Sequence, residues 1–360
     1  MRDIAIATFG LLCAATPALA EPPAVVTDIA PVHSLVSRVM QGVGTPSLLV
    51  EPGASPHGYR LRPSEARALS AAQLVIWTSE AQEPWLEEAI DSLAPDAVSL
   101  ELLETDGTLH LPIRQTAAFG GTPAHDHGGH DDDHAEGAAH ADGHGDHADE
   151  HAGADHADHD DHADADHDDH AHADHDDHAH NDHDEHHHGD GTDPHAWLDP
   201  ANAAMWLDHI AVALAEADPA NAATYRANAV AGRADLEALE AEIAGRAAEL
   251  SGGYVSFHDA YQYFEHRFDL NSAGALSASD ATDPGPARLA ELREVVADRN
   301  IKCIFAEPQF NPKRVRSLAS DLEMRTGVMD PLGAALTPGP ALYGALLTGL
   351  MDSLESCLND

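Results

Sequence analysis

The chain has 360 residues and a formal net charge of −45 at pH 7, because it contains 63 Asp and Glu residues but only 18 Lys and Arg residues. Nucleic acids and anionic membrane surfaces are excluded as partners, since both bind to clustered cations. With 28 histidines in addition, the composition favours metal cations as ligands.

Residues 1–20 predict an export signal rather than part of the fold. Arg2 precedes an apolar stretch at residues 4–15, and the segment ends in an Ala-x-Ala cleavage pattern. The apolar stretch is too short to span a bilayer. We therefore expect cleavage after Ala20 and an exported mature chain.

Residues 21–218 predict a first α/β lobe, interrupted by an insert. The predicted elements are strands at 24–30, 47–50 and 74–77, and helices at 31–40, 62–72, 85–93 and 202–217. Alternation of strands and helices indicates a mostly parallel sheet that helices cover on both faces.

The insert, residues 125–188, contains 21 of the 28 histidines and 23 Asp and Glu residues, with no Lys or Arg. It has no aromatic residue and almost no aliphatic residue larger than alanine, so it cannot bury enough apolar surface to offset its ordering entropy. We predict that it is disordered. Its imidazoles and carboxylates would bind zinc weakly, either incidentally in a soluble spacer or as a reservoir for a tighter site.

Residues 219–250 predict one long helix, of about 48 Å, that links the first lobe to a second lobe at residues 251–360. The predicted elements of the second lobe are strands at 254–257, 301–305 and 328–329, and helices at 286–299, 314–326 and from residue 340 onward. The predicted fold class is α/β, with two lobes, each a mostly parallel sheet flanked by helices, joined by a rigid helix.

Four residues in loops or at predicted strand ends are candidate metal ligands: His57, His195, His258 and Asp330. Ligands of open α/β sheets bind outside the carboxyl ends of the strands, so a cleft between the lobes would bring the four together. Three imidazoles with a carboxylate or a water form a tetrahedral set that suits zinc. Taken singly, each histidine would more often be a hydrogen-bonded structural residue.

Five blocks of sequence carry a more specific signal. They are His57 with Leu61-Arg-Pro-Ser-Glu65, His195-Ala-Trp-Leu198, Phe257-His-Asp-Ala-Tyr-Gln-Tyr-Phe264, Phe305-Ala-Glu-Pro-Gln-Phe310 and Met329-Asp-Pro-Leu-Gly333. In this order they resemble the metal-binding proteins of ABC importers, most closely the ZnuA-like periplasmic zinc-binding proteins. The similarity spans residues 26–358 and is interrupted only by the insert, which those relatives also have before their second ligand motif.

The resemblance implies metal-binding roles for His57, His195 and His258. Manganese-binding relatives have a carboxylate at the position of His258, and a nitrogen ligand there favours zinc over the harder manganese ion. Asp330 corresponds to a fourth ligand in some relatives. Other zinc-binding members have Glu directly before the first histidine, where this chain has Pro56, so Asp330, a water or a histidine of the insert must complete the shell.

The function that the resemblance implies is capture of Zn²⁺ in the periplasm by a monomer and delivery to the permease of an ABC transporter, without covalent chemistry. The alternatives are a zinc buffer or metallochaperone that serves no transporter, and a zinc hydrolase. Against a hydrolase, the sequence has no H-E-x-x-H helix and no motif that places a general base.

Cys303 and Cys357 are the two cysteines that follow the export signal. Two cysteines in an exported chain suggest one disulfide, with two buried free thiols as the alternative. The family pairs cysteines at the matching positions, so the resemblance also implies a disulfide here.

Overall fold

We describe the fold from a computed structural model of the chain. The structure describes residues 21–114, 116–119, 191–277, 286–298, 301–311 and 313–359. The predicted export signal, its cleavage after Ala20 and the predicted disorder of residues 125–188 lie outside the described residues. Within those ranges, none of the helices combines the length and the apolar character that crossing a bilayer requires.

The first lobe contains a parallel four-stranded sheet with the strand order β2-β1-β3-β4. Its elements are β1 (Val25–Thr27), α1 (Ala30–Val39), β2 (Ser47–Leu48), α2 (Pro63–Ser70), β3 (Leu74–Trp77), α3 (Leu86–Leu93), β4 (Val98–Glu101) and α4 (Pro200–Ala217). Along β3, Leu74 and Ile76 face one apolar cluster, and Val75 and Trp77 face another. Both faces of the sheet are therefore buried, as a parallel sheet requires.

A single helix, α5 (Ala222–Ala247), leads from the first lobe to the second. The second lobe has the same topology as the first, a parallel sheet with the order β6-β5-β7-β8. Its elements are β5 (Gly253–His258), α6 (Gln262–Phe268), β6 (Ser272–Ser277), α7 (Pro286–Asp298), β7 (Ile301–Ala306), α8 (Lys313–Asp321), β8 (Arg325–Val328) and α9 (Leu342–Leu358). The predicted fold class, two α/β lobes with parallel sheets and flanking helices, is confirmed.

Several predicted element boundaries were wrong. The first strand ends at Thr27 instead of residue 30, because α1 already begins at Ala30 with a proline in its first turn. The helix predicted at 314–326 ends at Asp321, since Glu323 adopts a left-handed conformation and Arg325 starts β8. Three elements, β4, α6 and β6, were not predicted at all.

One disulfide, between Cys303 and Cys357, joins β7 to α9. Both cysteines are buried. The disulfide prediction is therefore confirmed, and the alternative of two free thiols is wrong.

The first lobe buries a pair of carboxyl groups. Asp28 follows β1 and accepts a 2.5 Å hydrogen bond from the backbone N–H of Thr78, which follows β3. Glu83 is fully buried against Asp28. In the described part of the chain, Asp28 Oδ1 and both carboxyl oxygens of Glu83 have no hydrogen-bond partner of good geometry. Burial raises the pKa of Asp28 to about 6 and that of Glu83 well above its usual range, and the Asp28 carboxylate raises the pKa of Glu83 further. Both shifts favour the protonated forms of these two carboxyl groups.

We expect Glu83→Gln to flatten the pH dependence of stability, because the amide does not titrate and the raised pKa of Glu83 is removed. A raised pKa means that the folded state holds the proton more tightly than the unfolded chain, so this stabilisation is complete below about pH 4 and is lost as the pH rises. Between pH 5 and 7 the free energy of unfolding of the parent should fall by about 1–3 kcal/mol more than that of the variant. Urea titrations of metal-free protein at both pH values measure this difference.

Glu87→Gln is the matched control, because Glu87 lies on the exposed face of α3. Asp193 and Asp259, whose pKa values are also raised, are present in every variant and cancel in the comparison. Parallel pH profiles for the parent and Glu83→Gln would show that the pKa of Glu83 is not raised in the folded state.

Candidate metal centre

His258 lies at the carboxyl end of β5, one of the two central strands of the second sheet. Glu307 directly follows β7, the other central strand, and its carboxylate lies 2.7 Å from His258 Nδ1 and accepts the backbone N–H of His258 at 3.2 Å. Because connections leave β5 and β7 toward opposite edges of the sheet, this is its topological switch point, where open α/β sheets bind ligands. The fold thus fixes the orientation of this imidazole.

His195 is held in a similar way from the first-lobe side. It begins a 3-10 turn, Ala196–Leu198, that leads into α4. Asp193 Oδ1 accepts both the backbone N–H of His195, at 3.0 Å, and the ring Nδ1–H, at 2.7 Å. Both residues are buried, with 3% of Asp193 and 5% of His195 exposed. This carboxylate directs the Nε2 atom of the ring away from the first lobe.

The Nε2 atoms of His195 and His258 face each other at 3.4 Å. When both rings are neutral and each Nδ1–H donates to its carboxylate, each Nε2 lone pair points toward the other ring. Two nitrogen ligands at 2.0–2.1 Å from a tetrahedral zinc ion lie about 3.3 Å apart, which matches this spacing. Carboxylates on the distal nitrogens are also the usual partners of metal-bound histidines. The pair is therefore arranged to accept a cation between the rings.

His57 approaches the pair from the loop after β2. Its ring centroid is 6.1 Å from that of His195, whereas the centroids of His195 and His258 are 5.3 Å apart. Imidazoles that share a tetrahedral zinc ion have centroids about 5 Å apart, so the His57 ring is about 1 Å too distant. In the described residues, accordingly, no three His, Cys, Asp or Glu side chains lie close enough together to enclose a metal ion.

The three histidines line a small cavity of about 10 Å³. This volume accommodates one guest of the size of a water molecule. The lining comprises the three histidines together with Pro56, Gln82, Trp197, Glu307, Gln309, Phe310, Pro331 and Leu332. Two of these lining residues are joined by a hydrogen bond, in which the indole N–H of Trp197 donates to the carbonyl of Pro331 at 2.9 Å.

Asp330, the fourth predicted ligand, is not among the residues that line the cavity. Its carboxylate caps the turn that follows: Oδ1 accepts the N–H groups of Leu332 and Gly333, and Oδ2 accepts that of Ala334. The Asp330 side chain therefore stabilises the backbone of this turn.

Two carboxylates, those of Asp193 and Glu307, balance the charge that a divalent cation would bring. Burial raises the pKa of Asp193 to about 7, although the N–H of His195 and the guanidinium of Arg114 oppose that shift. An ion held by three neutral imidazoles would keep its full charge of +2, which the carboxylates of Asp193 and Glu307 behind the rings would offset. The donor set thus fits a buried divalent ion.

Neither Asp193 nor Glu307 is among the four candidate ligands that the sequence indicates. The signal for Asp193 was present in the Asp-x-His spacing, because a carboxylate two residues before a histidine can accept both its backbone and its ring N–H. Asp259, which directly follows His258, forms an ion pair with Arg114 at 3.4 Å.

The fold and the site define a two-lobed α/β binding protein with a nitrogen-rich, buried cavity between its lobes. Comparison with known sequences identifies the family of binding proteins to which the chain belongs. The model of the family described as zinc-uptake complex component A, periplasmic, matches residues 25–357. The chain therefore belongs to this ZnuA family.

Curated relatives are similar over nearly their whole length. The high-affinity zinc uptake system protein ZnuA of Paracoccus denitrificans is 42% identical over 347 residues, which cover 96% of this chain and 94% of that protein. The protein of the same name from Brucella suis is 38% identical over 340 residues, covering 94% and 92%.

Solved structures support the same fold. A crystal structure of ZnuA aligns with a TM-score of 0.65 at 19% identity and covers 93% of this chain and 98% of that one. The periplasmic zinc-binding protein TroA from Treponema pallidum aligns with a TM-score of 0.65 at 18% identity, covering 94% and 99%.

Proposed function

We propose that the protein captures Zn²⁺ between its lobes in the periplasm and delivers it to the permease of an ABC transporter. Membership of the ZnuA family supports this role, because curated relatives are named high-affinity zinc uptake system proteins. The observation that carries the proposal is the pair of buried imidazoles, 3.4 Å apart at Nε2, each with a carboxylate on its other nitrogen.

His57, His195 and His258 are the proposed ligands. The loop that carries His57 is more exposed than the other two sites, so the rigid pair would receive the ion first and the His57 ring would close on it by about 1 Å. The fourth ligand of the zinc ion would be Asp330, a water or a histidine of residues 125–188. Asp330 would first have to release three backbone N–H groups.

Binding and release, rather than catalysis, are the proposed activity. The protein would work as an exported monomer, with Zn²⁺ as its cargo and the permease as its partner. The His-rich segment 125–188 would add weaker zinc sites.

We expect His258→Asp to narrow the preference for Zn²⁺ over Mn²⁺ by at least about tenfold, because a hard carboxylate replaces a nitrogen ligand. The aspartate side chain also lacks the ring Nδ1–H that Glu307 accepts in the parent. Competition between Zn²⁺ and Mn²⁺ for the purified protein, read by metal analysis after equilibrium dialysis, measures the ratio of affinities.

His209→Asp is the control, since it makes the same change at a partly exposed histidine whose Nε2 lies 3.2 Å from the carbonyl of Asp106 and which does not line the cavity. It should leave the ratio unchanged. If His258→Asp and His209→Asp behaved alike, His258 would not contact the metal, and the proposed site would be wrong.

A further inference from the structure

A short segment crosses from the first lobe to the second beside the histidines. We call residues 111–114 and 116–119 the strap. Its first half pairs with the chain that carries the Asp193 carboxylate: the carbonyl of Leu111 accepts the N–H of Asp193 at 2.8 Å, and Pro112 forms an antiparallel bridge with Thr192. This half of the strap therefore supports the carboxylate that orients His195.

The second half of the strap docks on β6, at the edge of the second sheet. Phe119 donates its N–H to the carbonyl of Ala273 at 2.9 Å, and Ala275 donates to the carbonyl of Ala117 at 3.1 Å. The backbones approach so closely at Gly274 that a Cβ atom there would lie 2.1 Å from the carbonyl oxygen of Ala117. A glycine is therefore required at this position for the strap to dock.

Arg114 links the strap to the metal-binding end of the second lobe. Its guanidinium lies 2.5 Å from Glu265 Oε2 and 3.4 Å from Asp259 Oδ1, and it stacks 3.9 Å from the ring centroid of Phe119. Asp259 directly follows the proposed ligand His258. Less than a fifth of each charged side chain is exposed, so water screens these pairs weakly.

We propose that Arg114 is a positioning residue that latches the two lobes together through the strap and so slows metal release from the cavity. The inference rests on the proposed function, because it assumes that the metal lies between His195 and His258. Arg114 touches none of the proposed ligands. Separating the strap from the second lobe would remove the Arg114 cation from the buried carboxylates of Asp259 and Glu265, which makes opening costly.

A second arginine in the fold offers a matched comparison. Arg246 on α5 binds Asp352 and Glu355 on α9 at 2.5 and 2.7 Å, far along the chain from the strap. This cluster holds helices together and lines no part of the histidine cavity. Its loss should reduce stability without changing the release of metal.

The test is stopped-flow zinc release from the full chain into excess chelator. The cavity contributes the phase that disappears in His258→Ala. In Arg114→Gln we expect this phase to become at least about tenfold faster, because opening no longer separates a buried cation from Asp259 and Glu265, with a smaller change in the association rate. Arg114→Lys, which keeps the charge, should accelerate release less. Gly274→Ala should accelerate zinc release to the same extent as Arg114→Gln. Its Cβ atom displaces the strap, although the Arg114 side chain itself is retained.

Arg246→Gln should release zinc at the parent rate even if its melting temperature falls. An unchanged cavity phase in Arg114→Gln, or equal acceleration in Arg246→Gln, would overturn the latch while leaving the proposed function intact. A parent protein with no phase that depends on His258 would instead overturn the proposed function, and the latch with it.

Discussion

Replacing His195 or His258 by alanine should weaken zinc binding at the cavity by more than about 100-fold. Loss of an outer-shell partner alone costs a metal site 10–100-fold, and these variants remove an inner ligand together with the contact to its carboxylate. Asp193 or Glu307 would also be left buried without the ring N–H that it accepts in the parent. Competition with a chelator of known zinc affinity measures the change.

His209→Ala serves as the control for the histidine content of the chain, because the His209 ring lies against the backbone carbonyl of Asp106 and does not line the cavity. It should retain the parent affinity. His57→Ala should weaken binding less than the other two variants, since the His57 ring approaches the pair from a more exposed loop. Affinities that agree within a factor of two among the parent and these four variants would mean that the cavity histidines bind no zinc.

Removing the disulfide should lower the free energy of unfolding by about 4 kcal/mol in the chain-entropy account. Cys303 and Cys357 are 54 residues apart in sequence, so the cross-link restricts a long loop of the unfolded chain. The same bond ties β7, which precedes Glu307, to the carboxyl-terminal helix. Chemical denaturation of the Cys303→Ala/Cys357→Ala double variant measures the loss.

Reduction provides the internal control for this variant. Dithiothreitol should lower the stability of the parent toward that of the double variant and should leave the variant itself unchanged. Equal stability of the parent and the variant under oxidising conditions would contradict the expected role of the cross-link.

The parallel-sheet architecture could be predicted because its central strands are continuous apolar runs that alternate with helices. The elements that were missed lack that signal. β6 consists of small residues, Ser272-Ala-Gly-Ala-Leu-Ser277, which have low intrinsic strand preference, and its glycine is needed for docking of the strap. β4 lies at a sheet edge with Val98 largely exposed, so burial imposes little pattern on it.

The three histidines could be named as candidates from their positions at loop and strand ends, and the family resemblance joined them into one site. The partners that orient the rings were harder to assign. Glu307 lies 49 residues from His258, and only the neighbouring positions of β5 and β7 in the sheet bring the two together. Arg114 reaches Glu265 across 151 residues, a contact that no local pattern encodes.

The central claim is that the cavity holds one zinc ion independently of the His-rich insert. The most direct test is zinc calorimetry on the full chain, on a variant that lacks residues 125–188, and on that deletion combined with His258→Ala. We predict that the deletion keeps one tight site and loses the weaker ones, and that His258→Ala then abolishes the tight site. Loss of tight binding on deletion of residues 125–188 alone would contradict the claim, because the insert would then be the binding element.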